Sequence, residues 1–417
     1  MPKWKIYTPD GVQDILFEDC FLKRNIESKL RGLFRGSAYQ EVETPTIEYY
    51  DAFSSDKALP QETMFKFFDQ QGRILVLRPD ITIPVARVAA TKYREMGYPL
   101  RFSYIGNVFR YNDYGGGKQN EFTQAGVEIL GSGTPESDAE VIAIAINAMK
   151  VSGLENFQVD IGQVEFFKGL MEETGLTDES VEQIRLLIDR KDFVGVGEVL
   201  NSCDIREDLK KLIFDLPGLF GSTDVIDRVE ALTVNQRSRD ALGNIRQVLG
   251  ILEDYGLSKY VSVDLGMLHG LDYENGILFK GFTYGIGFPV LTGGRYDRLV
   301  EEFGMECPAT GFSLGVNLVM AALQRQKAAF DKPAVDSIIC YEPGGRKTAF
   351  GLCAELRRQG LVVELDISGS GTETMKDYAA ARKIGGVISV LDDDTVEIHY
   401  IETGEVNRVS IGELLKG

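Results

Sequence analysis

Apolar and polar residues follow two different periods along the chain. A recurrence every three to four residues is typical of a helix with one buried face, and strict alternation is typical of a strand with one buried face. Because proline cannot donate a hydrogen bond to a sheet, Pro45 should interrupt its strand or leave it at a sheet edge. In this way the first part of the chain predicts a helix over 16–36, strands over 39–47 and 72–77, a helix over 82–95, two strands between 103 and 130, and a helix over 135–151.

The pattern changes twice in the rest of the chain. Amphipathic helical segments replace the alternation after residue 162, which predicts a helical insertion. Beyond Lys332 and Pro333, strands and helices follow each other in turn, which is typical of a small, mostly parallel α/β domain. Between these parts, the pattern predicts strands over 260–265, 276–279 and 287–291 and a helix over 317–327. The expected segments are therefore 1–162 and 258–330 as two parts of one core, 163–257 as the helical insertion, and 334–417 as the C-terminal α/β domain.

The composition narrows the possible functions. The 417-residue chain is 44% hydrophobic and has no apolar run near the roughly 20 residues of a membrane span, and its start does not resemble a signal peptide, so we expect a cytoplasmic protein without a membrane partner. Its 45 Lys and Arg against 63 Asp and Glu give a net charge of −18, which speaks against nucleic-acid binding because that requires a cationic surface. Five cysteines without a CxxC pair and two histidines favour neither a disulfide framework nor a zinc site. No metal or cofactor is expected.

The most informative segment is the pair of strands in 103–130, which are joined by a loop with three consecutive glycines. Gln124 and Glu128 lie four residues apart on the second strand, so their side chains share one face. Two buried polar groups need partners, since each costs about 1–3 kcal/mol when unpaired. A ligand with an ammonium group and an imidazole N–H would supply them, but an exposed sheet face explains the same pair without a ligand.

Other residues also allow both a ligand contact and an ordinary structural role. Arg110 at the end of its strand is either a solvated surface group or, with the Phe122 ring, part of a nucleotide site. Asp80 and Thr82 precede a predicted helix and are favoured caps, but they also offer a carboxylate and a hydroxyl to a ligand. The glycines before Tyr296 place the backbone close to either a ligand or a neighbouring strand.

In this order, the segments resemble a histidyl-tRNA synthetase, one of the class II aminoacyl-tRNA synthetases. The resemblance covers nearly the whole chain and is carried by TPDGVQDIL, YQEVETPTIE, LRPDITIPVAR, FRYN with EFTQAGVEILG, HGLDYENGILF, and GGRYD with GFSLGV. It implies an α+β fold with a six-stranded antiparallel sheet core, a helical insertion and an anticodon-binding-like C-terminal α/β domain. It also implies self-association through motif 1, YQEVETPTIE. The histidine-like pocket that it implies consists of Asp80, Thr82, Arg110, Gln124, Glu128, Tyr273, Glu274 and Tyr296.

Three positions depart from the synthetase pattern where ATP would be handled. Asn112 replaces a glutamate of motif 2, His269 replaces an arginine before GLDY, and Asn317 replaces the arginine of motif 3. Each lost cation removes charge-assisted contacts worth about 1.5–3 kcal/mol, so we expect no adenylation and no catalytic residue. In the histidine-binding set, Asp80 replaces a glutamate and keeps its charge, whereas Glu274 stands where a tyrosine is expected.

A synthetase-like pocket without activation chemistry resembles the regulatory subunits of ATP phosphoribosyltransferase. This resemblance implies a non-catalytic protein that assembles with the short-form catalytic subunit into a hetero-octamer for the first step of L-histidine biosynthesis. It also implies feedback inhibition by L-histidine. Two other interpretations remain open from the sequence: a divergent but working histidyl-tRNA synthetase, and a synthetase-like paralogue that binds another small molecule or modifies another protein.

Overall fold

The chain forms two compact units, Met1–Ala329 and Phe330–Gly417. A computed structural model describes residues 4–54, 59–111, 119–190, 192–268, 274–329 and 334–416. Asn112, His269 and Tyr273 lie outside the described residues. No helix in these ranges is both long enough and apolar enough to cross a membrane.

Helices and strands are mixed throughout the first unit. Within the described ranges its helices are α1 (Phe17–Gly36), α2 (Thr82–Lys92), α3 (Pro135–Val151), α4 (Val164–Thr174), α5 (Asp178–Asp189), α6 (Phe193–Ser202), α7 (Glu207–Asp215), α8 (Asp224–Glu230), α9 (Gln236–Asp254), α10 (Asp297–Glu301) and α11 (Val316–Arg325). Its strands are β1 (Gln40–Glu41), β2 (Ile47–Tyr49), β3 (Lys66–Phe68), β4 (Ile74–Leu77), β5 (Leu100–Phe109), β6 (Glu121–Leu130), β7 (Phe157–Gln163), β8 (Phe220–Gly221), β9 (Val261–Asp264), β10 (Ile277–Thr283), β11 (Leu291–Arg295) and β12 (Ala309–Gly315).

A large sheet forms the centre of the first unit. Among the described residues it contains nine strands in the order β1-β5-β6-β12-β11-β10-β7-β9-β8. The six strands from β5 to β7 in this order pair antiparallel with one another. At one side of this group β1 pairs in parallel with β5, and at the other side β9 pairs in parallel with β7. The predicted α+β class with a synthetase-like antiparallel core is therefore confirmed.

Helices cover this sheet with their apolar faces. Helix α3 contacts α1, α9 and β12, and it begins as predicted, with Pro135 after Thr134 and acidic residues in its first turn. Its first turn is fixed to the end of β11 by a buried ion pair, in which Nη2 of Arg295 lies 2.8 Å from Oδ1 of Asp138. Helices α4 to α9 follow β7 along the chain, and β8 between them pairs with β9, so the segment predicted as a helical insertion also contributes a strand to the sheet.

Two strand predictions in the first unit were wrong in their bounds. Residues 39–47 form β1 and the start of β2, which belong to different sheets, with Pro45 between them; β2 pairs instead with β4 in a small sheet of order β2-β4-β3. Strand β11 covers Leu291–Arg295 rather than 287–291. Its glycines give a weak strand signal, yet a Cβ on Gly293 would lie 2.4 Å from Cζ of Phe279, so close strand packing requires them.

The second unit contains a five-stranded sheet between helices, as far as the described residues show. Its elements are β13 (Ser337–Tyr341), α12 (Arg346–Arg358), β14 (Val363–Leu365), α13 (Gly371–Arg382), β15 (Gly386–Val390), β16 (Thr395–Tyr400), β17 (Val406–Ser410) and α14 (Ile411–Leu414). The order of the sheet is β14-β13-β15-β16-β17; the first three of these strands are parallel, and the last two join antiparallel. The predicted alternation of strands and helices is therefore parallel as expected, and the segments 395–400 and 406–410 add an antiparallel hairpin that was not predicted.

Candidate ligand-binding site

A cavity of about 620 Å³ lies against the large sheet of the first unit. This volume is within the roughly 300–1,000 Å³ that is typical of small-molecule sites. The start of α2, strands β6, β10, β11 and β12, and helix α11 contribute its walls. Tyr273 lies outside the described residues, and the other seven residues of the predicted pocket all line this cavity: Asp80, Thr82, Arg110, Gln124, Glu128, Glu274 and Tyr296.

Glu128 is fully buried and is held by three hydroxyl groups. Thr82 and Tyr104 donate to its Oε1 at 2.8 and 3.2 Å, and Tyr296 donates to its Oε2 at 2.5 Å. Burial raises the pKa of the Glu128 carboxyl to about 8, although these hydroxyls favour its charged form and lower the pKa. When this carboxyl is ionised it has about four acceptor positions, and the three hydroxyls leave one of them for a ligand.

Glycines next to Glu128 make room for these side chains. Gly311 on β12 is paired with Glu128 on β6, and a Cβ on Gly311 would lie 1.6 Å from Oε2 of Glu128. Gly126 lies between Gln124 and Glu128 on the same face, and a Cβ there would lie 2.6 Å from the hydroxyl of Tyr104. The glycines around β12 and β6 therefore serve the packing of the polar residues of the cavity.

Asp80 caps α2, which is one of the two roles that the sequence allows, and it also lines the cavity. Its Oδ1 accepts the backbone N–H groups of Thr82 and Ile83 at 2.7 and 3.4 Å, which caps the first turn of α2. Its Oδ2 accepts hydrogen bonds from Arg110 and Gln124 at 3.2 and 3.4 Å. One carboxylate thus fixes the start of the helix and also presents negative charge to the cavity.

Arg110 is held in place rather than solvated. Its Nε donates to the carbonyl oxygen of Pro79 at 2.5 Å, and its side chain is only 28% exposed. The guanidinium carbon lies 5.8 Å from the centroid of the Phe122 ring, which is a cation–π contact. This arrangement brings positive charge and an aromatic face to the cavity, where either an anion or a planar ring can bind.

Gln124 has a buried acceptor without a partner. Its side chain is 4% exposed and its Nε2 donates to Asp80, but its Oε1 has no hydrogen-bond partner among the described residues. Such an orphaned acceptor costs about 1–3 kcal/mol. A donor group on a ligand, such as an ammonium group, would recover this cost.

Glu274 is a second buried carboxyl group in the cavity. A Cβ added at Gly294 of β11 would lie 3.2 Å from Oε1 of Glu274. The other oxygen, Oε2, is shielded from solvent and has no hydrogen-bond partner in the described part of the chain. Burial raises the pKa of Glu274 to about 8, and the charges of Lys280 and Lys168 lower it. A buried carboxyl with an unused oxygen therefore stands where the synthetase resemblance leads us to expect a tyrosine hydroxyl.

Asn317, which stands where the synthetase resemblance leads us to expect the arginine of motif 3, bonds to the protein itself. Its Oδ1 accepts the backbone N–H of Thr123 at 2.9 Å, and its Nδ2 donates to Oε1 of Gln119 at 2.6 Å. Both groups of the amide are thus engaged, and the residue supplies no charge to a triphosphate. The other two departures, Asn112 and His269, lie outside the described residues.

Tyr104 contacts Glu128 but was not among the residues predicted for the pocket. In the hairpin of β5 and β6 it is paired with Gly126, so it shares the face of Gln124 and Glu128. Its signal in the sequence, an aromatic residue opposite a glycine that lies between two polar residues, can be recognised only once the register of the hairpin is known.

Arg78 connects the region of Asp80 with the segment that precedes β2. The residue is 5% exposed; Nε donates to the carbonyl oxygen of Asn107 at 2.8 Å, and Nη1 donates to the carbonyl and hydroxyl oxygens of Thr44 at 2.5 and 3.1 Å. A Cβ on Gly106 would lie 2.3 Å from Nη2, so this glycine leaves space for the guanidinium.

Comparison with known proteins shows the family of the chain. A family model described as histidyl-tRNA synthetase matches residues 11–319. The ATP phosphoribosyltransferase regulatory subunit of Acetivibrio thermocellus is 65% identical over 100% of both chains, and that of Ruminiclostridium cellulolyticum is 54% identical over 100% of this chain and 99% of that protein. A crystal structure from Bacillus halodurans, described as an ATP phosphoribosyltransferase regulatory subunit/histidyl-tRNA synthetase, is 32% identical with a TM-score of 0.83 and covers 92% of this chain and 97% of that one. The chain therefore belongs to the family of ATP phosphoribosyltransferase regulatory subunits, on a histidyl-tRNA synthetase-like fold.

Proposed function

We propose that the chain is a non-catalytic subunit of ATP phosphoribosyltransferase that acts in the first step of L-histidine biosynthesis. It assembles with the short-form catalytic subunit into a hetero-octamer and mediates feedback inhibition by L-histidine, which binds in the cavity described above. The family of the chain supports the enzyme and the pathway. The polar groups of the cavity support the effector.

The unpaired Oε1 of Gln124 is the observation that carries the proposal of an amino-acid effector. An ammonium group is a cation with three N–H donors. In this cavity it would find the free oxygen of Gln124 beside the negative charge of Asp80. Glu128 keeps one acceptor position for a second donor, and an imidazole N–H is such a donor. L-Histidine carries both groups.

The neighbourhood of Asn317 supports a regulatory rather than a synthetase role. Phosphoryl groups are normally bound by cations and by preorganised donors. The Asn317 amide is neutral and is engaged by Thr123 and Gln119. A bound histidine is therefore expected to stay unreacted and to act by its presence, which requires two states of the complex that bind it unequally.

Calorimetry with L-histidine and the full chain tests the effector site. We expect the wild type to bind and Gln124→Ala to bind about tenfold more weakly, since the ammonium group loses one acceptor. Gln247→Ala on the exposed side of α9 is the matched control and should bind like the wild type. Equal affinity of all three proteins would reject the assignment of the ammonium group to Gln124.

Reconstitution with the short-form transferase tests the regulatory role. The transferase activity of the complex should be inhibited by L-histidine, and the complex with Gln124→Ala should need about ten times more of it. Absence of association would reject the proposal. Histidine-dependent exchange between ATP and pyrophosphate would instead establish the divergent synthetase.

Self-association through motif 1 is part of the same proposal. Ile47 and Tyr49 of β2 have exposed fractions of 50% and 48%, and exposed apolar side chains on one strand favour burial against another chain. Sedimentation velocity should show a larger particle for the wild type than for Ile47→Asp. Leu232→Asp, at a site that is 54% exposed after α8, is the control and should sediment like the wild type.

A further inference from the structure

A row of three polar residues crosses the cavity wall from β10 to β12. Lys280 of β10 is paired with Thr292 of β11, and Thr292 is paired with Ser313 of β12. Directly paired residues point to the same face of a sheet, and all three of these side chains line the cavity. Ser313 is paired in turn with Gly126, which lies two residues before Glu128 on β6, so the row shares the face of Glu128.

Lys280 brings a positive charge to this wall. It is half-buried, and it forms no ion pair and no hydrogen bond with the residues that the structure describes. The acidic residue directly opposite, Asp160 of β7, accepts a hydrogen bond from Ser262 instead. The chain has 63 acidic and 45 basic residues, so most lysines have an acidic group within reach. An ammonium group without such a partner in a cavity indicates a place for an anion that is not part of the chain.

Glu274 is a second acidic group near Lys280, and it does not form an ion pair with it. The charge of Lys280 lowers the pKa of the Glu274 carboxyl, but burial outweighs this effect and raises that pKa to about 8. Below this pH the carboxyl is therefore largely protonated. It leaves the charge of the lysine unbalanced.

The hydroxyl groups of Thr292 and Ser313 add two donors beside the ammonium group. Neither hydroxyl has a hydrogen-bond partner among the described residues, and each can donate to an anion. Cβ positions of directly paired residues are about 4.5–5.5 Å apart, so an anion above Thr292 is within reach of Ser313 on one side and of the long lysine side chain on the other. A carboxylate has only two oxygens, whereas a phosphoryl group has three acceptor oxygens, one for each of these donors.

This row lies apart from the groups proposed for L-histidine. Gln124 and Glu128 both belong to β6, and strands β12 and β11 separate β6 from β10. Neighbouring strands are about 4.8 Å apart, so β10 lies roughly 14 Å from β6. A histidine held by β6 leaves the β10 end of the cavity to another group. Asn317, which bonds to Thr123 of β6, also lies away from this end.

Apolar residues border the row. The backbone N–H of Val290 donates to the carbonyl oxygen of Gly281 at 2.8 Å, which places the segment before β11 beside Lys280. Phe288 of this segment and Leu318 of α11 line the cavity. A few polar groups within an apolar wall are typical of sites for small organic molecules, so the bordering surface favours an organic ester of phosphate over the free ion.

We propose that the β10 end of the cavity is a second ligand site, which binds the phosphoryl group of a small phosphate monoester through Lys280, Thr292 and Ser313. The organic part of the ester lies against Phe288 and Leu318. One cation and two hydroxyls suit a single phosphoryl group rather than a triphosphate. The site shares none of these residues with the proposed histidine effector, so each can be tested without the other.

Calorimetry and phosphorus NMR of the full chain with ribose 5-phosphate, a compact monoester, test the site. The wild type should bind it, and Lys280→Gln should bind at least tenfold more weakly because it loses a charge-assisted contact. Lys280→Arg keeps the charge and should retain most of the affinity. Thr292→Val keeps the shape and loses the hydroxyl, so it should bind about fivefold more weakly. Lys211→Gln on the exposed side of α7 is the matched control and should bind like the wild type.

Three further titrations identify the occupant. Inorganic phosphate should bind more weakly than ribose 5-phosphate, and D-ribose should not bind. Inorganic phosphate that binds as tightly as the ester would overturn the assignment to an ester. L-Histidine should bind Lys280→Gln and the wild type with a Kd equal within about twofold, because the two sites share no residue.

Thermal unfolding shows that each variant is folded. No binding of ribose 5-phosphate by the wild type, or equal binding by the wild type and a folded Lys280→Gln, would overturn this site and leave the histidine effector intact. A wild type that binds the ester and not L-histidine would overturn the effector and support this site.

Discussion

Two parts of the same cavity differ in whether their polar groups have partners. In the open part, Gln124 and Glu274 each keep a buried oxygen without a hydrogen bond to any described residue. In the closed part, Asn317 bonds through both groups of its amide to Thr123 and Gln119. Because a buried polar group left unpaired costs more than a satisfied one contributes, the open part is arranged for a ligand and the closed part is complete without one. This difference agrees with the proposal of a pocket that binds an amino acid and has no site for a triphosphate.

The largest effect on the open part is expected from Gly311→Ala. The added Cβ would lie 1.6 Å from Oε2 of Glu128 and 2.6 Å from the carbonyl oxygen of Val127, which is a backbone atom that cannot move aside cheaply. We expect the free energy of unfolding to fall by about 3 kcal/mol, measured by urea denaturation, and histidine binding to be lost. Gly250→Ala in α9, where a Cβ meets nothing within 4 Å, is the control and should gain up to about 1 kcal/mol. A Gly311→Ala protein with wild-type stability would contradict this packing.

Glu128→Gln should have the next largest effect. The amide keeps the shape of the carboxyl group but cannot ionise when a donor binds, and it offers one acceptor oxygen instead of two, so Tyr104, Tyr296 and the ligand compete for it. Loss of a hydrogen bond to a charged group costs about 1.5–3 kcal/mol, and histidine should bind on the order of a hundredfold more weakly. Calorimetry at pH 7 measures the change, with Glu253→Gln as the matched control. An unchanged Kd would place the imidazole elsewhere.

Asn317→Ala tests the closed part. The backbone N–H of Thr123 loses its acceptor, so the free energy of unfolding should fall by about 1–2 kcal/mol. The Kd for histidine should stay within about twofold, because the two parts share no hydrogen bond that this change removes. Denaturation and calorimetry on the same preparation measure both values. A tenfold weaker affinity would show that the closed part also takes part in histidine binding.

The smallest effect is a pH dependence of stability that depends on Glu274. Its pKa of about 8 in the folded chain lies above the roughly 4.3 of an unfolded glutamate. The stability that it contributes is fully present below the unfolded value and is lost as the pH rises through about 8. Glu274→Gln should therefore gain on the wild type by an amount on the order of 1 kcal/mol between pH 7 and 9. Denaturation at both pH values measures the gain, and a constant difference would show that Glu274 is ionised throughout.

Strong local patterns predicted the parts of the fold that depend on few neighbours. The alternation between 103 and 130 gave strands close to β5 and β6, and the two-residue period alone placed Gln124 and Glu128 on one face. The grouping of the other pocket residues, such as Asp80 and Glu274, came instead from the resemblance to histidyl-tRNA synthetases, because they are distant in sequence and no local period connects them.

The sequence alone could not predict features that depend on tertiary neighbours. Strand β11 contains Gly293 and Gly294, which disfavour a strand by propensity, and only the neighbouring strands explain them. The sequence offered a cap and a ligand contact as alternatives for Asp80, and it did not show that the two carboxylate oxygens point to different groups. Tyr104 becomes a partner of Glu128 only through the register of the hairpin.

The buried guanidinium of Arg78 has a consequence for communication across the first unit. It holds Thr44 on one side and Asn107 on the other, and Asp80 lies only two residues further along the chain. Its hydrogen bonds offset the cost of burying a charge, so the group is not free to change partners. The segment around Thr44 and the start of α2 should therefore move together, so a ligand that prefers one position of Asp80 also favours one position of that segment.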